Sequence, residues 1–262
     1  AHGEAIGAAI LAWAATDGYA AHDNCAYTPP MGPGLWVPTL PAFAAPLQPC
    51  WGELRPFVLA VGSEAEPPPP PAYSEDPASA FYAEAREVYD TTAVLSAEQI
   101  EIANYWADGP GATGTPPGHW IRIVTNLLSE ESMTLDVAAE AYARVGIAVN
   151  DAFISCWDMK YYYNLVRPIT YIQSASGLND PTWLTAPGIG GGNIATPAFP
   201  EHTSGHSVQS GAAAEVLTDL LGTVGFDDDT HAALSLAPRT FASFLEAADE
   251  ATLHPAGRVH DE

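Results

Sequence analysis

Apolar residues along the 262-residue chain recur mainly at three- and four-residue intervals, the spacing of amphipathic helices. The pattern predicts helices at about residues 4–16, 78–90, 96–107, 119–129, 134–163, 203–221 and 238–251. Local signals mark several ends. Asp17-Gly18 stops the first helix, and Ser96 with Gln99 has capping-box spacing ahead of the third. No segment alternates with period two between turn dipeptides, so no sheet is expected, and no repeat of solenoid length is found. Between the helices lie proline-rich stretches, including EPPPPPA, which is stiff, extended and unable to join a helix or central strand. The expected fold is all-α: a helical bundle with long Pro-rich crossover loops. It is read as one domain over residues 1–262, with 19–77 largely loop wrapped over the core.

Composition narrows the function classes. Thirty-two acidic residues face eight basic ones, a formal net charge of −24, and Lys160 is the only lysine. Such a surface repels polyanions, so nucleic acid is not an expected partner, nor is an anionic membrane. No apolar run approaches the roughly 20 residues needed to span a bilayer. The chain begins at Ala1, which fits either a removed leader or a cropped start; export to a secreted or periplasmic location is the expectation. Cys25 and Cys50 bracket a Pro/Gly/Trp-rich loop that a disulfide would staple in an oxidising compartment, and both bonded and free states stay open. Cys156 lies in an apolar helical stretch and reads as a buried small hydrophobe.

Two segments carry candidate chemistry. In KYYYNLVRP, Arg167 follows Lys160 by seven positions, which puts both cations on one face if the helix persists, with Pro168 then ending it. In PEHTSGHS, Ser204, Gly205 and His206 fall at the first turn of a helix beginning near Thr203. Unpaired backbone N–H groups and the helix dipole favour an oxyanion there, and His206 can transfer a proton. Surface ion pairs and an ordinary capped helix are the bland alternatives.

Together the segments resemble the vanadium haloperoxidase and type 2 phosphatidic-acid phosphatase superfamily, whose signature is K-x6-RP, then P-SGH, then SR-x5-H. The first motif matches in full and the second as SGH. YTPPMGPGLWVPT, PPGHW, DAFISCWDMKYYYNLVRPITYI and RTFASFLEAADEA extend the resemblance to the bacterial haloperoxidase-like branch over nearly the whole chain. The resemblance implies that vanadate, or phosphate in its place, is held by Lys160, Arg167, Ser204 and Gly205, with His206 as acid/base. It also places Trp157 and Phe199 where the fungal chloroperoxidases have aromatics near the halide, and implies hydrogen peroxide, halide and an organic acceptor as small-molecule partners. A homo-oligomer is compatible with the sequence.

The third motif departs from the pattern. The chain ends ATLHPAGRVHDE; with His260 as the apical vanadium ligand, Leu253 and His254 stand at the motif's serine and arginine positions. Anchoring on EAADEA puts His254 and Pro255 there instead, and Pro255 should break the helix. Three readings follow: a haloperoxidase, an acid phosphatase with His260 as nucleophile, or a catalytically degenerate structural or assembly protein keeping the fold. Elsewhere, Asp227, Asp228 and Asp229 lack EF-hand spacing and read as a helix-capping acidic turn. His119 and His202 line a pocket mouth or cap loops, and GIGGGN is a candidate lid.

Overall fold

The computed structural model describes residues 2–23, 25–130 and 132–252. The described chain runs α1 (His2–Ala14), α2 (Tyr19–His22), α3 (Ala80–Ala93), α4 (Ala97–Tyr105), α5 (Thr115–Glu130), α6 (Leu135–Tyr163), α7 (Pro168–Gln173), α8 (Gly205–Leu221), β1 (Phe226–Asp228), β2 (Arg239–Phe241) and α9 (Phe244–Thr252). It is mostly helical, as the periodicity predicts. Helix α6 packs against α8, α8 against α9, and α5 against both α6 and α8. Small residues at the seam, Ala141, Ala213, Ala214 and Ala247, are fully buried and let the helix backbones approach. Trp120, Val145, Leu217 and Phe244 fill the space around them, and Trp120 Nε1 donates to Ser210 Oγ at 2.9 Å.

Local chemistry explains the helix ends. Pro116 and Pro117 sit in the first turn of α5, where N–H groups have no helical acceptor, so the helix starts earlier than residue 119. Ser96 Oγ accepts from Gln99 N at 3.1 Å and Gln99 Oε1 accepts from Ser96 N at 2.9 Å, a complete capping box. Ser96→Ala is expected to lower stability by about 1 kcal/mol, read from the urea midpoint at unchanged slope.

Three expectations are corrected. The absence of a sheet fails: β1 and β2 form an antiparallel pair with Phe226 opposite Phe241, and the predicted 238–251 helix is β2 followed by α9. Pro168 does not end a helix that holds Lys160 and Arg167. Helix α6 ends at Tyr163 with Asn164 left-handed at φ 49°, and Pro168 is the first residue of α7. The acidic turn at residues 227–229 caps no helix, because Asp227 and Asp228 belong to β1.

Residues 25–79 lie outside α-helix and run past α6. Asp151 on α6 accepts the backbone N–H groups of Phe57, Val58 and Leu59 at 2.7, 2.7 and 3.1 Å. Gly52 allows a close approach, since a Cβ there would lie 2.5 Å from Asp158 Cα. Cys25 and Cys50 are bonded, Cys156 is free and buried, and among the described residues no helix is long and apolar enough to cross a membrane.

Candidate functional site: a buried cation pair beside a helix start

The left-handed turn at Asn164 sends the chain out of α6 in extended form, so Lys160 on the last turn of α6 and Arg167 at the cap of α7 flank one bend. The segment Phe199–Glu201 lies in that bend, anchored by Glu201 N donating to Leu165 O at 3.1 Å. Lys160, 1% exposed, donates from Nζ to Pro200 O at 3.1 Å and Glu201 O at 2.9 Å. Arg167, 7% exposed, donates from Nε to Phe199 O at 2.7 Å and from Nη1 to Glu201 Oε2 at 2.6 Å. Its Nη2 is buried with no protein acceptor. A buried guanidinium N–H left unpaired costs free energy, and an anion is the partner that best offsets the cost.

Aromatic residues line the same place. Lys160 Nζ and Arg167 Cζ lie 4.8 and 4.7 Å from the Phe199 ring centroid, and Trp157 packs on Phe199 at 4.9 Å between centroids. Both cations therefore share one ring face environment, in which cation–π attraction partly replaces lost hydration. The next segment returns to α6 through Thr203, whose hydroxyl donates to Cys156 Sγ at 3.2 Å. Ser204 caps α8, accepting from Ser207 N at 3.2 Å and Ser207 Oγ at 2.9 Å, which leaves its own O–H as a donor. Helix α8 begins at Gly205, two residues later than expected, and Gly205 lies against Trp157. The structure thus gathers Trp157, Lys160, Arg167, Phe199, Ser204, Gly205 and His206 about one bend. His260, with His254 and Arg258, falls outside the described residues.

Electrostatics distinguish the groups. Burial lowers Lys160 from its ordinary value to about 8, with Arg167 adding to the fall and Glu201 opposing it. His206 is also lowered, first by desolvation, against the upward pull of Asp108; His119 and Lys160 add to the lowering. Its resting form at neutral pH is the uncharged imidazole.

Behind His206 lies a cluster that the sequence reading missed. His119 bridges two buried carboxylates, with Nδ1 2.8 Å from Asp108 Oδ2 and Nε2 2.7 Å from Asp228 Oδ2. His231 Nε2 approaches Asp108 Oδ1 at 3.3 Å, and Tyr105 Oη donates to Asp228 O at 2.7 Å. Burial alone would lower His119, but the two carboxylates override it and raise the group to about 9. Asp108 and Asp228 are lowered in turn, as their hydrogen bonds to His119 outweigh burial. His119 therefore neither lines a pocket mouth nor caps a loop. Asp228 comes from 109 positions further along the chain, so no local pattern joins it to His119.

Known proteins share sequence and fold with this chain. Residues 140–254, which hold all but the first five residues of α6 and run through α9, match the family described as the VCPO second helical-bundle domain. A vanadium chloroperoxidase from Curvularia inaequalis is 31% identical over 128 residues, which is 43% of this chain and 21% of that protein. The solved structure of a bacterial vanadium-dependent iodoperoxidase is 40% identical, with a TM-score of 0.85, over 96% of this chain and 60% of the other. A holo-type bacterial vanadium-dependent chloroperoxidase shares the fold at a TM-score of 0.67 and 15% identity, over 96% of this chain and 65% of that one. The chain thus spans about a fifth of the curated relative's length and 60% of the iodoperoxidase's. Together these likenesses support the vanadium haloperoxidase superfamily as the family of this chain.

Proposed function

We propose that this chain forms the oxyanion cradle of a vanadium-dependent haloperoxidase, a protein that uses hydrogen peroxide to oxidise halide for transfer to an organic acceptor. The observation that carries the reading is the Arg167 Nη2 edge, buried and without a protein acceptor, beside the fully buried Lys160. Vanadate fits this donor set: Lys160 and Arg167 supply positive charge, and the Ser204 O–H and Gly205 N–H supply hydrogen bonds at a helix start. Bound vanadate would supply a Lewis-acidic centre for activating peroxide. His206, kept uncharged by desolvation, would hold and move the proton of incoming peroxide as the acid/base of the site. Trp157 and Phe199 would wall the halide approach and exclude water. The Cys25–Cys50 disulfide supports placing the protein in an oxidising compartment, outside the cytoplasm.

The test is peroxide-dependent bromination of monochlorodimedone with added vanadate, run beside p-nitrophenyl phosphate hydrolysis. Vanadate-dependent bromination is expected. Phosphate hydrolysis alone would replace the reading with an acid phosphatase, and vanadate binding without either activity would mark a degenerate member of the superfamily.

A pH effect also follows. Lys160 carries its charge below about 8 and loses it as pH rises through that value, so anion affinity should be full below pH 8 and fall above it. Sulfate keeps one charge state over this range. Sulfate affinity measured by calorimetry from pH 6.5 to 9.5 should drop by about tenfold, the loss of one charge-assisted hydrogen bond. A flat profile would contradict the assignment of Lys160 as the titrating cation.

A further inference from the structure

Arg167 is not held by backbone alone. Its Nη1 meets the Glu201 carboxylate at 2.6 Å, and both side chains are more than nine-tenths buried, at 8% and 7% exposure. Glu201 is also the residue whose carbonyl accepts from Lys160 Nζ at 2.9 Å. One residue therefore touches both cations of the cradle, one through its backbone and one through its charge. The two cations and this carboxylate leave a single net positive charge in direct contact with the anion position. We propose that Glu201 is a specificity-determining residue that makes the cradle select singly charged tetrahedral oxyanions over doubly charged ones.

The argument rests on the oxyanion reading above and follows from how charge enters two opposing energies. Removing an anion from water costs free energy that grows with the square of its charge, whereas its attraction to a fixed cradle grows only in proportion. A cradle with two uncompensated cations repays the cost of a dianion; one with a single net charge repays that of a monoanion. Glu201 also turns the guanidinium. With Nε on Phe199 O and Nη1 on Glu201, the Nη2 edge is the part of the fork left for a ligand.

Sulfate and perrhenate, tetrahedral anions of fixed charge two and one, provide the test. Their affinities would be measured by calorimetry at one pH and constant ionic strength for the wild type, Glu201→Gln and Glu201→Asp. The wild type should bind perrhenate at least as tightly as sulfate. Glu201→Gln should gain affinity for both, with sulfate gaining about tenfold more, because the removed carboxylate repels a dianion twice as strongly. Glu201→Asp keeps the charge and should keep the wild-type ratio, which a purely structural role of the pair would not require. Equal gains for both anions, or the same ratio change in Glu201→Asp, would overturn the proposal. If Glu201→Gln does not fold, the wild type decides: tighter binding of sulfate than of perrhenate overturns it. Failure of the wild type to bind either anion would remove the cradle reading itself.

Discussion

Replacing His119 by leucine is expected to destabilise the protein by about 3–5 kcal/mol, the cost of breaking a buried charge cluster by removing one partner. His119 is 1% exposed and both carboxylates it bridges are fully buried, so neither Asp108 nor Asp228 can recruit water when the imidazole is gone. That loss is a large share of the stability of a typical domain. Denaturant midpoints at pH 7 measure it. The pH dependence carries its own sign. The folded-state value of His119, about 9, lies above the ordinary unfolded value of 6.5. Its stabilising contribution is therefore complete below pH 6.5 and is lost as pH rises through about 9. The wild type should lose stability over that window by an amount His119→Leu does not show. Parallel pH profiles for the two proteins would contradict an imidazolium clamp.

Lys160→Met should weaken vanadate binding by about 10–100-fold, as expected for a removed charge-assisted hydrogen bond in a desolvated site. Methionine keeps most of the length and the apolar stem while deleting the charge that Pro200 O and Glu201 O now hold in place. Near-ultraviolet circular dichroism, reporting on Trp157 and its neighbours, checks that the fold survives. A variant that is folded and binds vanadate as the wild type does would place the anion elsewhere.

These two residues also show which parts of the molecule were legible in the sequence. Capping at Ser96 and Gln99 is a contact between near neighbours, so its spacing alone revealed it. The long apolar-faced α6 was readable for the same reason. Lys160 and Arg167 were paired correctly but for the wrong cause. Their seven-residue spacing suggested one continuous helix, whereas a left-handed Asn164 bends the chain and the Phe199–Glu201 segment joins them from across the fold. Pro168 was misread because proline is equally at home just after one helix and at the first position of the next. The β1–β2 pair escaped detection because three-residue strands give no alternation to count, and their pairing spans more than ten positions. Nothing local in the sequence ties Glu201 to Arg167, Asp228 to His119 or His231 to Asp108. Buried charges are defined by their partners, and theirs come from distant elements.

The SGH motif, by contrast, is legible because the residues that cap and start a helix stand next to one another in the chain. SGH stands at the start of α8, where Ser204 caps the helix and Gly205 is its first residue. The third motif of the superfamily would fall on residues 253–262, outside the described residues.

The account depends above all on where a tetrahedral anion binds. Crystals of the protein soaked with perrhenate, a heavy, singly charged tetrahedral oxyanion, would locate it by anomalous scattering. The prediction is a single strong peak within hydrogen-bonding reach of Lys160 Nζ, Arg167 Nη2 and Gly205 N. Peaks only at surface residues, with the bend between α6 and α7 empty at saturating perrhenate, would contradict it.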